Sequence, residues 1–197
     1  MLRKLMAVGI AAALSVAFCA GADAAGKKGM MGMKMARLKV MSAEIKRHAM
    51  IADEQVANVF GCKGGNVSPS LKWSGEPAGT KSFAISIYDP DAPTGSGFWH
   101  WVAFDIPASV HELAKGASAG GMPAGAIQSH NDTGSAGYTG PCPPPGDKPH
   151  RYFITVFAVD AEHLGADGNA TPAVVGFMLH FHTVAKGRIV GLYSRSK

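Results

Sequence analysis

The chain has 197 residues, 47% of them hydrophobic, and a formal charge of +5. That length supports one domain with a sizeable core, or a domain with a tail, since single cores usually run to about 100 to 200 residues. Lys and Arg are scattered and form no aromatic-interleaved basic stripe, which argues against a nucleic-acid partner, while a mildly basic surface still suits anionic ligands or anionic lipid head groups.

Residues 1–24 place Arg3 and Lys4 ahead of an apolar run from Leu5 to Ala20, followed by Ala22-Asp23-Ala24. The run is shorter than the roughly 20 residues of a bilayer span, and the small-x-small triplet fits a cleavage site. Residues 1–24 are therefore expected to be a cleaved secretory signal, the mature chain to begin near Ala25, and the protein to be periplasmic or secreted. Cleavage removes two cations and one anion, which takes the formal charge from +5 to +4. Residues 25–36, which include "GKKGMMGMKMA", have the composition of a flexible linker. Met30, Met31, Met33 and Met35 could instead hold Cu(I) through their thioethers, a use that the linker reading displaces.

Residues 37–197 carry the domain. Leu38 and Val40 alternate with Lys39 and Met41, which predicts a first strand. A glycine-rich loop from Phe60 to Ser70 follows, then a short "LKW". Phe83, Ile85 and Ile87 alternate with Ala84, Ser86 and Tyr88 in a strand that ends where Asp89-Pro90 breaks the ladder. Trp99 to Ile106 reads as the next strand, with His100, Val102, Phe104 and Ile106 on one face. The glycine- and proline-rich stretch from Ala114 to Pro149 is too long for an ordinary connection, and loops of that size are usually functional. Arg151 to Asp160 is rich in the aromatic and β-branched residues of strands. Thr171-Pro172 opens a helix that Gly187 would stop, and Ile189 to Tyr193 is a closing strand. The expected class is mainly β, with antiparallel sheets and peripheral helices near the C-terminus.

Cys62 and Cys142 remain after Cys19 leaves with the signal, and an even pair in an exported protein is expected to form a disulfide. The alternative is Cys142 as a nucleophile activated by His150, but "GPCPPPG" offers no thiolate-stabilising setting.

Two clusters carry chemistry. In "DPDAP" the prolines stiffen the loop that holds Asp89 and Asp91, and "GFWHW" brings His100 close behind. Ca²⁺ and Mg²⁺ want six or more oxygen ligands, which the flanking residues do not supply, so no metal is expected. A carboxylate would hold one nitrogen of His100 and leave the other for a ligand. The second cluster, "GYTGPCPPPGDKPHRY", runs from Gly137 to Tyr152. Alternation puts His150 and Tyr152 on one face and turns Arg151 away, where a buried salt bridge to Asp89 or Asp91 is its expected role. Two imidazoles, a phenol and backbone N–H groups suit a phosphate, sulfate or carboxylate.

Together with "CKGGNVSPSLKW" and the terminal "GLYSR", these clusters resemble the signature regions of the phosphatidylethanolamine-binding protein family, also called Raf kinase inhibitor proteins, in its bacterial exported branch. The resemblance extends from about Arg37 to Arg195. It implies a large antiparallel sheet packed on a smaller one, C-terminal helices, and a small anion cavity at one end. Carried over, Asp89, Asp91, His100, His150 and Tyr152 would line that cavity, and Gly140 and Pro141 would shape its rim. Members are linked to phospholipid head groups and to inhibition of kinases and serine proteases. The expectation is a non-enzymatic protein without a cofactor that binds a small anionic or phosphorylated ligand. An inhibitor or adaptor that grips a protein partner at the pocket rim is the alternative. A hydrolase using Asp89 and His100 as acid and base ranks third, because no nucleophile has a recognisable setting such as G-x-S-x-G.

Overall fold

The computed structural model describes residues 36–197; the expected signal and the Met-rich stretch up to Met35 lie outside the described residues. Nine strands and one α-helix form among the described residues: β1 (Ala36–Arg37), β2 (Lys39–Met41), β3 (Leu71–Ser74), β4 (Ser82–Asp89), β5 (Phe98–Pro107), β6 (Glu112–Leu113), β7 (Ile127–Gln128), β8 (His150–Val159), α1 (Pro172–His182) and β9 (Thr183–Tyr193). Six strands build a large sheet in the order β1-β9-β8-β4-β5-β7, and β2-β3-β6 build a small one. The mainly β, two-sheet class is therefore as expected, with two refinements. The large sheet is mixed, because β1 joins β9 in parallel, and the expected C-terminal helices reduce to α1. The predicted first strand, from Arg37, also divides: Arg37 joins the large sheet together with Ala36, the last residue of the expected linker, and Lys39–Met41 joins the small one.

The central strand β4 is buried along both faces, which is why it reads as an almost unbroken apolar run. Phe83, Ile85 and Ile87 pack toward the small sheet with Leu71, Trp73 and Leu113. On the other face Ala84 packs with Val102 and Phe104 of β5 and with Val175 and Leu179 of α1. Each side chain of this size contributes about 1.5–3 kcal/mol by leaving water.

Strict alternation fails twice in β5. Opposite Ile87 and Tyr88 stand Trp101 and Trp99, so His100 is an extra residue in the ladder. Trp99 stacks on Tyr88 and packs on the helix side, whereas Trp101 sits in the small-sheet core. His100 meets Tyr152, a residue of that same small-sheet core, with ring centroids 5.2 Å apart. It does not share a face with Val102 and Phe104, as simple parity implies; the bulge re-aims it. A second extra residue falls between Ala103 and Ile106, where Asp105 adopts φ 55°, and it moves Ile106 to the small-sheet side.

Thr171 caps α1, its hydroxyl accepting from Val174 N, and Pro172 takes the first helical position. The helix ends at His182, well before Gly187, because the chain turns there into β9 through Thr183 and Val184. Gly187 serves a different need: a Cβ on it would lie 2.3 Å from the Leu38 carbonyl oxygen, so glycine permits the close approach of the chain beside β2.

Candidate functional site

Antiparallel pairing brings three segments to one end of the large sheet. Asp89 is the last residue of β4, it pairs with Phe98 at the start of β5, and Tyr88 pairs with Phe153 near the start of β8. Asp89, His100 and His150 therefore converge although they come from distant parts of the chain. Together they line a cavity of about 180 Å³, whose wall also includes Phe60, Phe98, Thr139, Gly140 and the stretch Cys142–Pro144.

The polar floor is ordered by specific bonds. His150 Nδ1 lies 2.7 Å from Asp89 Oδ2 with both side chains buried, so the imidazole donates there and turns Nε2 outward. Asp147 Oδ2 is 3.5 Å from that second nitrogen. The other oxygen of Asp89 accepts the N–H of Asp91 at 2.8 Å, the turn chemistry that "DPDAP" provides. His100 Nδ1 donates to the Thr139 carbonyl at 2.8 Å, so a backbone oxygen and not a carboxylate orients this ring. Its Nε2 is buried and has no partner. Burial lowers the His100 pKa below the ordinary histidine value, against the opposing pull of the Thr139 and Gly140 carbonyls and the charges of Asp89 and Asp132. The Tyr152 hydroxyl also lacks a hydrogen bond of ordinary geometry. Burial, reinforced by the neighbouring Asp89 carboxylate, drives its pKa far up and keeps it a neutral phenol.

Other residues singled out in the sequence stand behind this wall. Asp91 is taken up by Arg151: its oxygens accept from Nη2 at 2.7 Å and from Nε and the backbone N–H at 2.9 Å. That pair braces the loop from outside, and the Arg151 side chain is 53% exposed, not buried. Tyr152 backs His100 and does not itself line the cavity. Gly140 does line it, and a Cβ there would meet the Gln55 carbonyl oxygen at 2.1 Å; only glycine lets the rim lie against residues 55–57. Pro141 is part of that seam, its carbonyl accepting from Ala57 N at 3.1 Å. Cys62 and Cys142 form a disulfide that ties the 59–62 loop to the rim, 80 residues further on.

Four contributors carry no strong signal in the sequence: Phe60, Phe98, Thr139 and Asn66. Asn66 accepts from Gly140 N at 2.8 Å and donates to the Tyr138 carbonyl at 3.4 Å, so it pins the rim to the glycine-rich loop. Only its place in "GGNVSP" hints at this, asparagine being at ease in the left-handed φ of 53° it adopts.

A mixed-sheet β protein with a small histidine-lined cavity at the strand ends, covered by one disulfide-tied rim, is the class that these features define. The sequence matches the phosphatidylethanolamine-binding protein family over residues 42–194, and the chain belongs to that family. It is 48% identical over 161 residues to the UPF0098 protein YbcL of Escherichia coli, covering 80% of this chain and 88% of the relative. It is 43% identical over 159 residues to the UPF0098 protein YbhB of the same organism, covering 80% and 100%. The crystal structure of E. coli YbcL, described as a new member of the mammalian PEBP family, superposes with a TM-score of 0.78 at 49% identity, covering 81% of this chain and 99% of that one. A putative phosphatidylethanolamine-binding protein homolog from Chlamydia trachomatis superposes with a TM-score of 0.69 at 27% identity, covering 81% and 99%.

Proposed function

We propose that this protein is a non-enzymatic binding protein whose cavity takes a phosphate-bearing or similar small anionic group, such as a phospholipid head group, in an exported compartment. One observation carries the reading: two buried imidazoles line one small cavity, and His150 is held by Asp89 through Nδ1, which leaves Nε2, 3.5 Å from Asp147 Oδ2, as the nitrogen an occupant would contact. In its protonated form that nitrogen donates to an anion oxygen while Asp89 offsets the imidazolium charge. His100 Nε2, lacking a partner, is a second polar group toward which the occupant's own proton can be directed.

The lining residues give the binding reading its preference over hydrolysis. The cavity cysteine is in a disulfide, the Thr94 hydroxyl donates to the Gly97 carbonyl, and the Thr139 hydroxyl accepts from Asn131 Nδ2. Neither imidazole is hydrogen-bonded to a hydroxyl it could activate, as nucleophilic catalysis requires. The disulfide supports the exported location, since oxidising compartments keep such pairs. Calorimetry with inorganic phosphate tests the proposal. Saturable binding to the wild type that drops about tenfold or more in His150→Ala is expected, and equal binding by the two proteins would refute it.

A further inference from the structure

We infer that a second binding site lies in the groove between α1 and the large sheet, and that it takes a small carboxylate with an aromatic body. The groove shares no lining residue with the histidine-lined cavity, so the inference stands apart from the function proposed for that cavity.

The groove encloses about 300 Å³, against about 180 Å³ for the histidine-lined cavity. Val102, Phe157, Trp99 and Leu179 give it an apolar floor and sides, while Ser86 and Lys186 supply the polar groups. Ser86 stands in the middle of β4, a strand that is otherwise apolar between Phe83 and Ile87. It is 5% exposed, and its hydroxyl makes no hydrogen bond among the described residues. A buried hydroxyl without a partner is costly, and an acceptor placed in the groove removes that cost. Lys186 is exposed on β9 and is in no ion pair among the described residues. Its cross-strand neighbour on β1 is Arg37, which adds a second cation at the sheet edge. No aspartate or glutamate lines the groove. An ammonium and a hydroxyl donor together match an acceptor-only, singly charged carboxylate, and the apolar floor matches a ring attached to it.

An independent observation comes from α1 itself. Gly176 lies inside this helix, where glycine is less stable than alanine because it loses more backbone freedom on folding. Its φ is not in the left-handed region, and a Cβ added to it would meet nothing within 4 Å. Neither backbone geometry nor packing therefore calls for glycine at this position, in contrast to Gly140 and Gly187. With Leu179 and His180 it lies on the stripe of α1 that lines the groove. A side chain here would take up part of the groove, so an occupant that needs this space accounts for its absence.

Amide chemical-shift titration of the oxidised protein with 3-phenylpropanoate and with its neutral amide, 3-phenylpropanamide, tests the inference. Saturable shifts are expected at Ser86, Trp99 and Gly176 with the carboxylate, at a Kd of about 1 mM or tighter. The amide is expected to bind about fivefold or more weakly, and Lys186→Gln to bring the two ligands within about twofold of each other. Gly176→Leu is expected to weaken carboxylate binding about tenfold or more while melting at or above the wild type, because leucine favours the helix and meets no neighbour there. That thermal readout separates a filled groove from a damaged fold. Equal affinity for carboxylate and amide overturns the inference, as does carboxylate binding that survives Gly176→Leu. Shifts confined to residues around Asp89 and His150 overturn it too, since they place the ligand in the other cavity. Shifts at Ser86, Trp99 and Gly176 that depend on protein concentration alone, with a dimer in sedimentation, assign the groove to a second copy of the chain and also overturn it.

Discussion

The β4–β5 pair carries an aspartate–histidine couple at each end. At one end Asp89 meets His150 at 2.7 Å, and at the other Asp105 meets His163 at 3.2 Å, with the two carboxylates almost equally buried. The histidines differ: the side chain of His150 is 5% exposed and that of His163 is 77% exposed. Asp105 uses its other oxygen to hold Leu164 N at 2.9 Å, so its couple pegs a loop, and the imidazole stays in water. Asp89 uses its other oxygen to hold Asp91 N, and its imidazole is roofed by the disulfide-tied rim, with one nitrogen left over beside a cavity. The same pair of side chains thus anchors a loop in one place and frames a site in the other. What separates them is the covering layer, which strips water from the histidine and raises the strength of every polar contact it makes.

The comparison can be tested most severely by removing the cover. Replacing both Cys62 and Cys142 by serine frees a tether that spans 80 residues and is expected to cost about 4 kcal/mol in urea unfolding; a cost below about 1 kcal/mol would mean that the rim is held by other contacts. Next comes Asp89→Ala, which strands a buried imidazole and is expected to destabilise by about 3 kcal/mol and abolish phosphate binding in calorimetry. Retained binding would remove Asp89 from the site. Smaller again is the brace outside the wall. The Arg151 guanidinium holds the Asp91 carboxyl down from 3.8 to about 2. A depressed acid stabilises the fold above its ordinary pKa and loses that contribution as pH falls through the folded value. Wild-type stability should therefore slope downward between pH 3.8 and about 2, and Arg151→Ala should flatten that slope, losing only about 1 kcal/mol at neutral pH because the pair faces solvent. Last, His163→Ala at the open end is expected to stay within about 0.5 kcal/mol of wild type, and a larger loss would show that the two couples are more alike than their exposures suggest.

Much of the fold was legible because it rests on local rules. Alternation locates β4, aromatic and β-branched composition locates β8, and Thr171-Pro172 marks the start of α1. The helix does not run to Gly187, because that glycine answers to a neighbour, Leu38, that is remote in sequence. Within the candidate site, His150 and Arg151 took opposite sides as parity requires, one buried and the other exposed. His100 did not follow parity, because one extra residue in the ladder reverses the faces, and no local signal announces a bulge. Phe60 and Thr139 carry no signal for a similar reason: an exposed aromatic in a glycine-rich loop and a backbone carbonyl have no periodicity to betray them.

By itself the sequence determined where the chain is stiff, where it alternates and which chemical groups it carries, since proline, glycine and β-branched residues act on their own backbone. It also carries Cys62 and Cys142 within the domain, the two cysteines that the structure joins. Tertiary structure alone decided that Asp91 takes Arg151 while Asp89 takes His150, that a carbonyl holds His100, and that these groups share one cavity. Asp89 and His150 are 61 residues apart, and contacts over such separations depend on how strands are ordered and which faces are covered, which local preferences leave open.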